Sequence, residues 1–214
     1  SVNSMLAALN HYLRFLGRLD CCVKPLKIQR RIFCDEEKEL TRTEYLRLLQ
    51  AAKNQNQRLS LVIQTICGTG IRVSELRFIT VEAVQVGKAV VNCKNKTRVI
   101  FIPTPLQKLL TAYYKNSGRK DGAIFLSKNG KPLDRSNIWR EMKSLCEQAG
   151  VSPHKVFPHN LRHLFARSFY AIDRDIVRLA DLLGHSSINT TRIYVMETGR
   201  EHVRQIARMQ LIVT

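Results

Sequence analysis

Residues 84–103 read VQVGKAVVNCKNKTRVIFIP, and here the hydrophobic period of the chain changes. Residues 84–92 and 97–102 carry strand-like runs of β-branched and aromatic residues, Lys94-Asn95-Lys96 supplies a polar turn between them, and Pro103 stops the second run. The spacing predicts one antiparallel hairpin. On both sides of it the apolar residues fall at helical intervals. Upstream, Thr41 and Glu44 form a capping-box pattern ahead of Tyr45, Leu48, Leu49 and Ala52. A second helix is expected over about 59–67, breaking at Gly68-Thr69-Gly70 and resuming over about 72–78. Downstream, helices are expected over about 106–116, 136–149, 160–170, 176–183, 188–196 and 200–209. The fold class is therefore mainly α with a small antiparallel β-sheet, an α+β arrangement.

Further out, residues 1–19 place Leu6, Leu9, Leu13 and Leu16 at helical spacing beside Tyr12 and Phe15. Such an amphipathic helix wants a partner surface but is too short to be a domain. Residues 23–38 contain Pro25 and the basic residues Lys24, Lys27, Arg30 and Arg31 with little periodicity, a linker signature. The expected organisation is residues 1–37 as the end of an N-terminal domain with a basic linker, then a domain over 38–214. The chain begins without Met, which fits a start inside a longer protein.

Composition narrows the partner. The 214 residues carry 35 Lys and Arg against 17 Asp and Glu, a formal net charge of +18. Basic surface binds phosphate and releases condensed counterions, so a nucleic acid is the favoured polyanion. Charge alone also fits a ribosomal or other basic soluble domain. No apolar run is long enough to span a bilayer and the start lacks a signal-peptide pattern, so a cytosolic protein is expected. The six cysteines, Cys21, Cys22, Cys34, Cys67, Cys93 and Cys146, form no CxxC pair, lack zinc-ligand spacing, and read as reduced and structural.

Three blocks carry residue types suited to phosphate chemistry. Arg72 follows Gly68-Thr69-Gly70-Ile71 and opens a helix, where a guanidinium and a helix N-terminus can face one phosphate. His159 and Arg162 stand three residues apart just after Pro158, which suits a first helical turn and one shared face, with Leu161, Leu164, Phe165 and Ser168 toward the core. His163 lies between them with a different facing. In the third block, Leu182-Leu183-Gly184-His185 precedes Ser186-Ser187-Ile188-Asn189-Thr190-Thr191-Arg192-Ile193-Tyr194. Gly184 can end one helix and Ser187 can cap the next, leaving His185 in the loop and Tyr194 toward the end of a short helix. Each block alone has a plainer explanation: a glycine turn before a surface Arg, a capping or packing His, a half-buried packing Tyr.

Together, over roughly residues 40–210, the three blocks resemble the tyrosine recombinase, or phage integrase, family. That resemblance implies a catalytic domain in which Arg72 and Arg162 clamp the non-bridging phosphate oxygens and His159 assists proton transfer. It further implies that His185 bonds the phosphate and Tyr194 attacks it, leaving a 3′-phosphotyrosine. Glu75, beside Arg72, resembles the acidic residue that supports the family's site, or is an exposed helix carboxylate. The family's general-acid Lys belongs to the hairpin turn, where Lys94 is favoured and Lys96 is the alternative; the turn is one residue shorter than the common form.

The chemistry fits the residue types. A phenol has a pKa of about 10, so only about one in a thousand is ionised at pH 7 without help from cations and a base. Because a phosphotyrosine conserves the energy of the broken ester, rejoining needs no ATP and no metal, in line with the lack of a GxxxxGK[ST] loop. No cofactor is expected. The implied partners are double-stranded DNA and further copies of the chain, as a tetramer with exchange of a C-terminal segment; the alternative is that residues 200–209 and Leu211-Ile212-Val213 pack on their own domain. Integration or excision of a mobile element is the expected role. The competing readings are a type IB topoisomerase, with similar residues, and a non-catalytic helix-turn-helix regulator reading DNA through the helix around Arg162.

Overall fold

The computed structural model describes residues 2–26, 36–93, 96–127, 129–195 and 207–209. The chain divides into two compact units, Ser1–Ile32 and Phe33–Thr214.

In the first unit, α1 (Val2–Phe15) buries none of its residues. Of the apolar stripe read from the sequence, Leu9, Tyr12, Phe15 and Leu16 are exposed and Leu6 and Leu13 are partly covered. Two asparagines two helical turns apart hold the returning chain. Asn3 donates to Leu26 O at 3.0 Å and accepts from its N–H at 2.9 Å. Asn10 does the same for Val23 at 2.7 and 2.9 Å. Each side-chain amide thus satisfies both polar groups of one extended residue.

The second unit starts with α2 (Arg42–Gln55), and the Thr41–Glu44 capping box is formed in both directions, at 3.1 and 2.8 Å. It is followed by α3 (Gln57–Thr69), buried around most of its circumference from Leu59 to Ile66. A helix apolar on all sides must lie inside the core, and α2 and α8 (Pro158–Asp173) pack against it. This helix continues through Gly68 and Thr69 and ends only at Gly70, whose φ of +65° is left-handed. A Cβ on Gly70 would lie 2.5 Å from the Phe165 ring, so the position is closed to other residues.

A 3-10 turn (Val73–Phe78) and α4 (Val81–Val86) precede the hairpin of β1 (Lys88–Cys93) and β2 (Lys96–Phe101). Residues 84–86 therefore belong to a helix, capped by Thr80 and stopped by Gly87, and not to the first strand. The antiparallel register pairs Cys93 with Lys96, Val91 with Arg98 and Lys88 with Phe101. Val91 and Ile100 face the core while Val90, Val99 and Phe101 stay exposed, the alternation of a half-covered sheet.

Then come α5 (Thr104–Asn116), α6 (Arg135–Lys143), α7 (Cys146–Ala149), α8, α9 (Ile176–Leu183) and α10 (Ile188–Arg192). The single helix expected over 136–149 is divided at Ser144 and Leu145. The last helix is shorter than expected, so Tyr194 lies beyond its end. Ser187 occupies the N-cap position without a side-chain cap. Residues 200–209 lie outside the described residues except for 207–209.

One large core joins α2, α3, the hairpin and α5 to α8. A smaller cluster gathers Ala166, Leu179, Leu183 and Tyr194, edged by Phe165, Phe169, Tyr170 and Val195. Each large apolar side chain so buried stabilises the fold by about 1.5–3 kcal/mol before chain entropy is counted. The small cluster packs α9 and the segment after α10 onto α8.

Candidate active site

Gly70 turns the chain so that Ile71 enters the core and Arg72 emerges at the head of the 3-10 turn. Glu75 fixes Arg72 twice: it accepts the Arg72 backbone N–H at 3.0 Å, and its other oxygen accepts Nη1 at 3.0 Å. Arg72 Nη2 is 3.5 Å from Gly184 O, and 40 % of the side chain remains exposed. Glu75 itself is 2 % exposed, so it is not the exposed helix carboxylate of the alternative reading. Burial works to raise its carboxyl, but the Arg72 amide and the Arg98 and Arg72 guanidiniums outweigh that and hold it below the usual carboxylate range.

Pro158 opens α8 and puts His159 and Arg162 in its first turn. Arg162 is 1 % exposed. Its Nη1 donates to Gly70 O and its Nη2 to Leu183 O at 2.7 Å, so one guanidinium satisfies carbonyls at the C-terminal ends of both α3 and α9. Its Nη2 also lies 3.0 Å from His185 Nε2. Burial, then the charge of Arg72, lowers the Arg162 pKa to about 10, which leaves it a cation at neutral pH.

Gly184 ends α9 in the left-handed region and releases His185 into the loop. An arginine can only donate, so His185 Nε2 accepts from Arg162 and Nδ1 carries the proton, donating to Thr191 Oγ1 at 2.9 Å. Thr191 is fully buried at the end of α10. Burial and the surrounding guanidiniums of Arg162, Arg72 and Arg98 push the His185 pKa down to about 4.

Tyr194 is 6 % exposed, and its Oη lies 3.0 Å from His159 Nε2. The Arg162 guanidinium carbon stands 6.0 Å from the centre of its ring. Burial, followed by the charges of Arg162, Arg72 and Arg135, lowers the His159 pKa, which favours the neutral imidazole. His163 does not face away: it stacks on Tyr194 with ring centres 4.2 Å apart, and burial pushes its pKa to about 4. Of the residues expected on the core side of α8, Leu161 and Leu164 are buried, Phe165 is half-buried and Ser168 is exposed.

Two clefts meet at Arg72. One lies against Glu75, Arg98, Gly184, His185 and Ser186; the other against Arg135, Trp139, Phe157, His159 and Arg162. An anion at their junction has a guanidinium and an imidazole on either side. Five of the six residues expected at the site, Arg72, His159, Arg162, His185 and Tyr194, are thus brought together, with Glu75 behind them. Lys94 lies outside the described residues, as does the Lys96 side chain. Of the basic linker, Lys24 is exposed, whereas Lys27, Arg30 and Arg31 lie outside the described residues. Among the described residues, no His, Cys, Asp and Glu group able to hold a metal ion is gathered, and no helix is long and apolar enough to cross a membrane.

The profile of the phage integrase family matches residues 38–200. The chain belongs to the phage integrase family. It is 32 % identical to the tyrosine recombinase XerA of Thermococcus kodakarensis over 214 residues, covering 96 % of this chain and 73 % of that protein. Its fold is that of the XerA recombinase crystal structure, with TM-score 0.70 at 24 % identity over 97 % of this chain and 74 % of that one. It is likewise that of a lambda integrase dimer bound to a COC′ core site, with TM-score 0.69 at 22 % identity over 92 % and 74 % of the two chains. The chain is thus a recombinase of the tyrosine type, and the mainly helical fold with one hairpin is the one the sequence predicts.

Three residues of the candidate site were not picked out from the sequence. Arg98 pairs with Glu75, Thr191 holds His185, and His163 stacks on Tyr194. Arg98 left a signal, a charged residue at an inward position of a half-buried strand. The other two depend on contacts that α10 and the segment after it make with the His185 loop and α8, which no local pattern encodes.

Proposed function

We propose that this recombinase cuts one DNA strand by attack of Tyr194 Oη on a backbone phosphate. The observation that carries this reading is the 3.0 Å approach of Tyr194 Oη to His159 Nε2 beside the buried Arg162. With the Nδ1–H tautomer of His159, Nε2 takes the phenol proton as the Oη–phosphorus bond forms. Arg72 and Arg162 bind the non-bridging oxygens and offset the charge that develops on them. The phosphorus–5′-oxygen bond breaks, and Lys94, or Lys96 as the alternative, protonates the departing oxygen. The products are a 3′-phosphotyrosine and a free 5′-hydroxyl. Attack by another strand's 5′-hydroxyl runs the same steps in reverse, exchanging one ester for another.

His185 has to change its hydrogen bonding in the process. In the free protein its Nε2 accepts from Arg162; to donate to a phosphate oxygen it takes the proton on Nε2. The Thr191 hydroxyl can either accept from Nδ1 or donate to it, so it serves both tautomers.

In this proposal residues 1–37 are the end of an N-terminal DNA-binding domain with a linker whose Lys24, Lys27, Arg30 and Arg31 meet the DNA backbone. Four copies act on two duplexes in the cytoplasm and exchange a C-terminal segment, in the service of moving a mobile element. The net charge of +18 supports the duplex as partner. The test is a duplex nicked just downstream of the cleavage point, so that the short fragment bearing the new 5′-hydroxyl diffuses away and the protein stays covalently attached to the 3′-phosphate. An SDS-resistant complex is expected with the wild type and none with Tyr194→Phe; a complex with the Phe variant would refute the assignment.

A further inference from the structure

Arg98 lies where the hairpin, the Arg72 turn and the His185 loop meet. Its side chain is 11 % exposed and runs inward from β2. Nη2 donates to Glu75 in a close ion pair, and Nη1 donates to Leu182 O, in the last turn of α9, at 2.7 Å. Its aliphatic stem fills the space beside Gly184, where a Cβ would lie 2.4 Å from Arg98 Cδ. Its Nε is buried with no partner among the described residues.

The charges are unequal. Glu75 brings one negative charge and faces two guanidiniums, with one oxygen on Arg72 Nη1 and the other shared by the Arg72 N–H and Arg98. Without Arg98 the whole carboxylate charge would be left to neutralise Arg72. With Arg98 in place, the trio keeps a net positive charge, and its exposed end is Arg72, at the junction of the two clefts.

We infer that Arg98 is a positioning residue for phosphate: it draws off the Glu75 charge and ties the hairpin to the His185 loop, so that Arg72 meets the phosphate unneutralised. The inference rests on the reading of Arg72 as a phosphate clamp. It asks nothing of Tyr194.

The test uses the full chain and inorganic phosphate as the probe, with binding read from the rise in Tm as phosphate is added. The wild type is expected to respond and Arg72→Gln to lose the response. Arg98→Met is expected to weaken phosphate binding about tenfold, the scale of a nearby charge in a partly screened site, and Arg98→Lys to weaken it less. The deciding variant is Arg98→Met with Glu75→Gln: removing the carboxylate as well returns the charge to Arg72 and recovers most of the binding. A purely structural Arg98 gives no such rescue, since the second substitution only removes another buried contact. Wild-type affinity in Arg98→Met, or no recovery in the double variant, overturns the inference, as does a wild type with no Arg72-dependent response. Should Arg98→Met not fold, Glu75→Gln alone decides: tighter phosphate binding supports the inference and unchanged or weaker binding sinks it. Loss of covalent capture by Tyr194 with these responses intact would instead count against the nucleophile alone.

Discussion

The Nε2 of His159 stands 3.0 Å from the phenol oxygen of Tyr194, while His163, from the same helix, lies flat against the ring of that tyrosine. One histidine addresses the oxygen and the other the ring, so they separate in experiment.

His159→Gln is expected to slow single-turnover cleavage of nicked DNA by about 10²–10⁴-fold, the usual worth of a positioned proton acceptor. The His159 pKa is below 6.5 in the folded protein, so its basic form prevails at neutral pH. The wild-type rate should stay level as pH falls toward 6.5 and decline only below the depressed value. A rate profile of the Gln variant that keeps this acid limb would show that the limb belongs to another group.

Stability should follow the two histidines whose pKa falls to about 4, His163 and His185. The unfolded chain binds their protons near the ordinary 6.5, so between about pH 4 and 6.5 it holds more protons than the folded one. Their contribution is fully present above about pH 6.5 and is lost as pH falls through that window. Tm measured across the window should therefore drop with acid, and His163→Phe, which keeps the stack, should flatten the slope. An unchanged slope would place the titration elsewhere. Loss of the Glu75 ion pairs belongs to lower pH, below the ordinary carboxylate value.

Gly184→Ala combines a left-handed backbone with a Cβ driven into Arg98. A cost of about 1–2 kcal/mol is expected from the backbone alone, read from denaturant unfolding. Cleavage should slow more than stability predicts, because both Arg98 and His185 shift. Full activity in a folded Ala variant would show that the loop tolerates displacement.

The hairpin lysines are separated by a substrate in which sulfur replaces the leaving 5′-oxygen. Sulfur departs without an acid, so the variant rescued by it has lost the proton donor. Rescue is expected for Lys94→Ala and not for Lys96→Ala; rescue of the latter alone reverses the assignment.

Much of this could be read from local pattern. The range expected for α9, 176–183, matches Ile176–Leu183 because its apolar period is strong and Gly184 marks its end. The Thr41–Glu44 box is likewise local. Val84-Gln85-Val86 misled because a three-residue alternation looks like a strand, whereas the Thr80 cap and Gly87 stop that make it a helix lie outside the alternation. Arg98, 23 residues from its carboxylate partner, and His163, 31 from the tyrosine it covers, act through tertiary contacts that only packing brings about. The depth of Arg162 was equally hidden, since an arginine three residues from a histidine reads as a surface pair until two helix ends close over it.

The phenol of Tyr194 already rests on histidines of its own chain. A protomer so built is self-sufficient in its nucleophile and, in the proposed reaction, would cut in cis. Which strand is cut first in an assembly of identical copies cannot then be decided by one copy lending its tyrosine to another. The choice falls to how each copy is held by its neighbours, and so to geometry around an intact set of reacting groups.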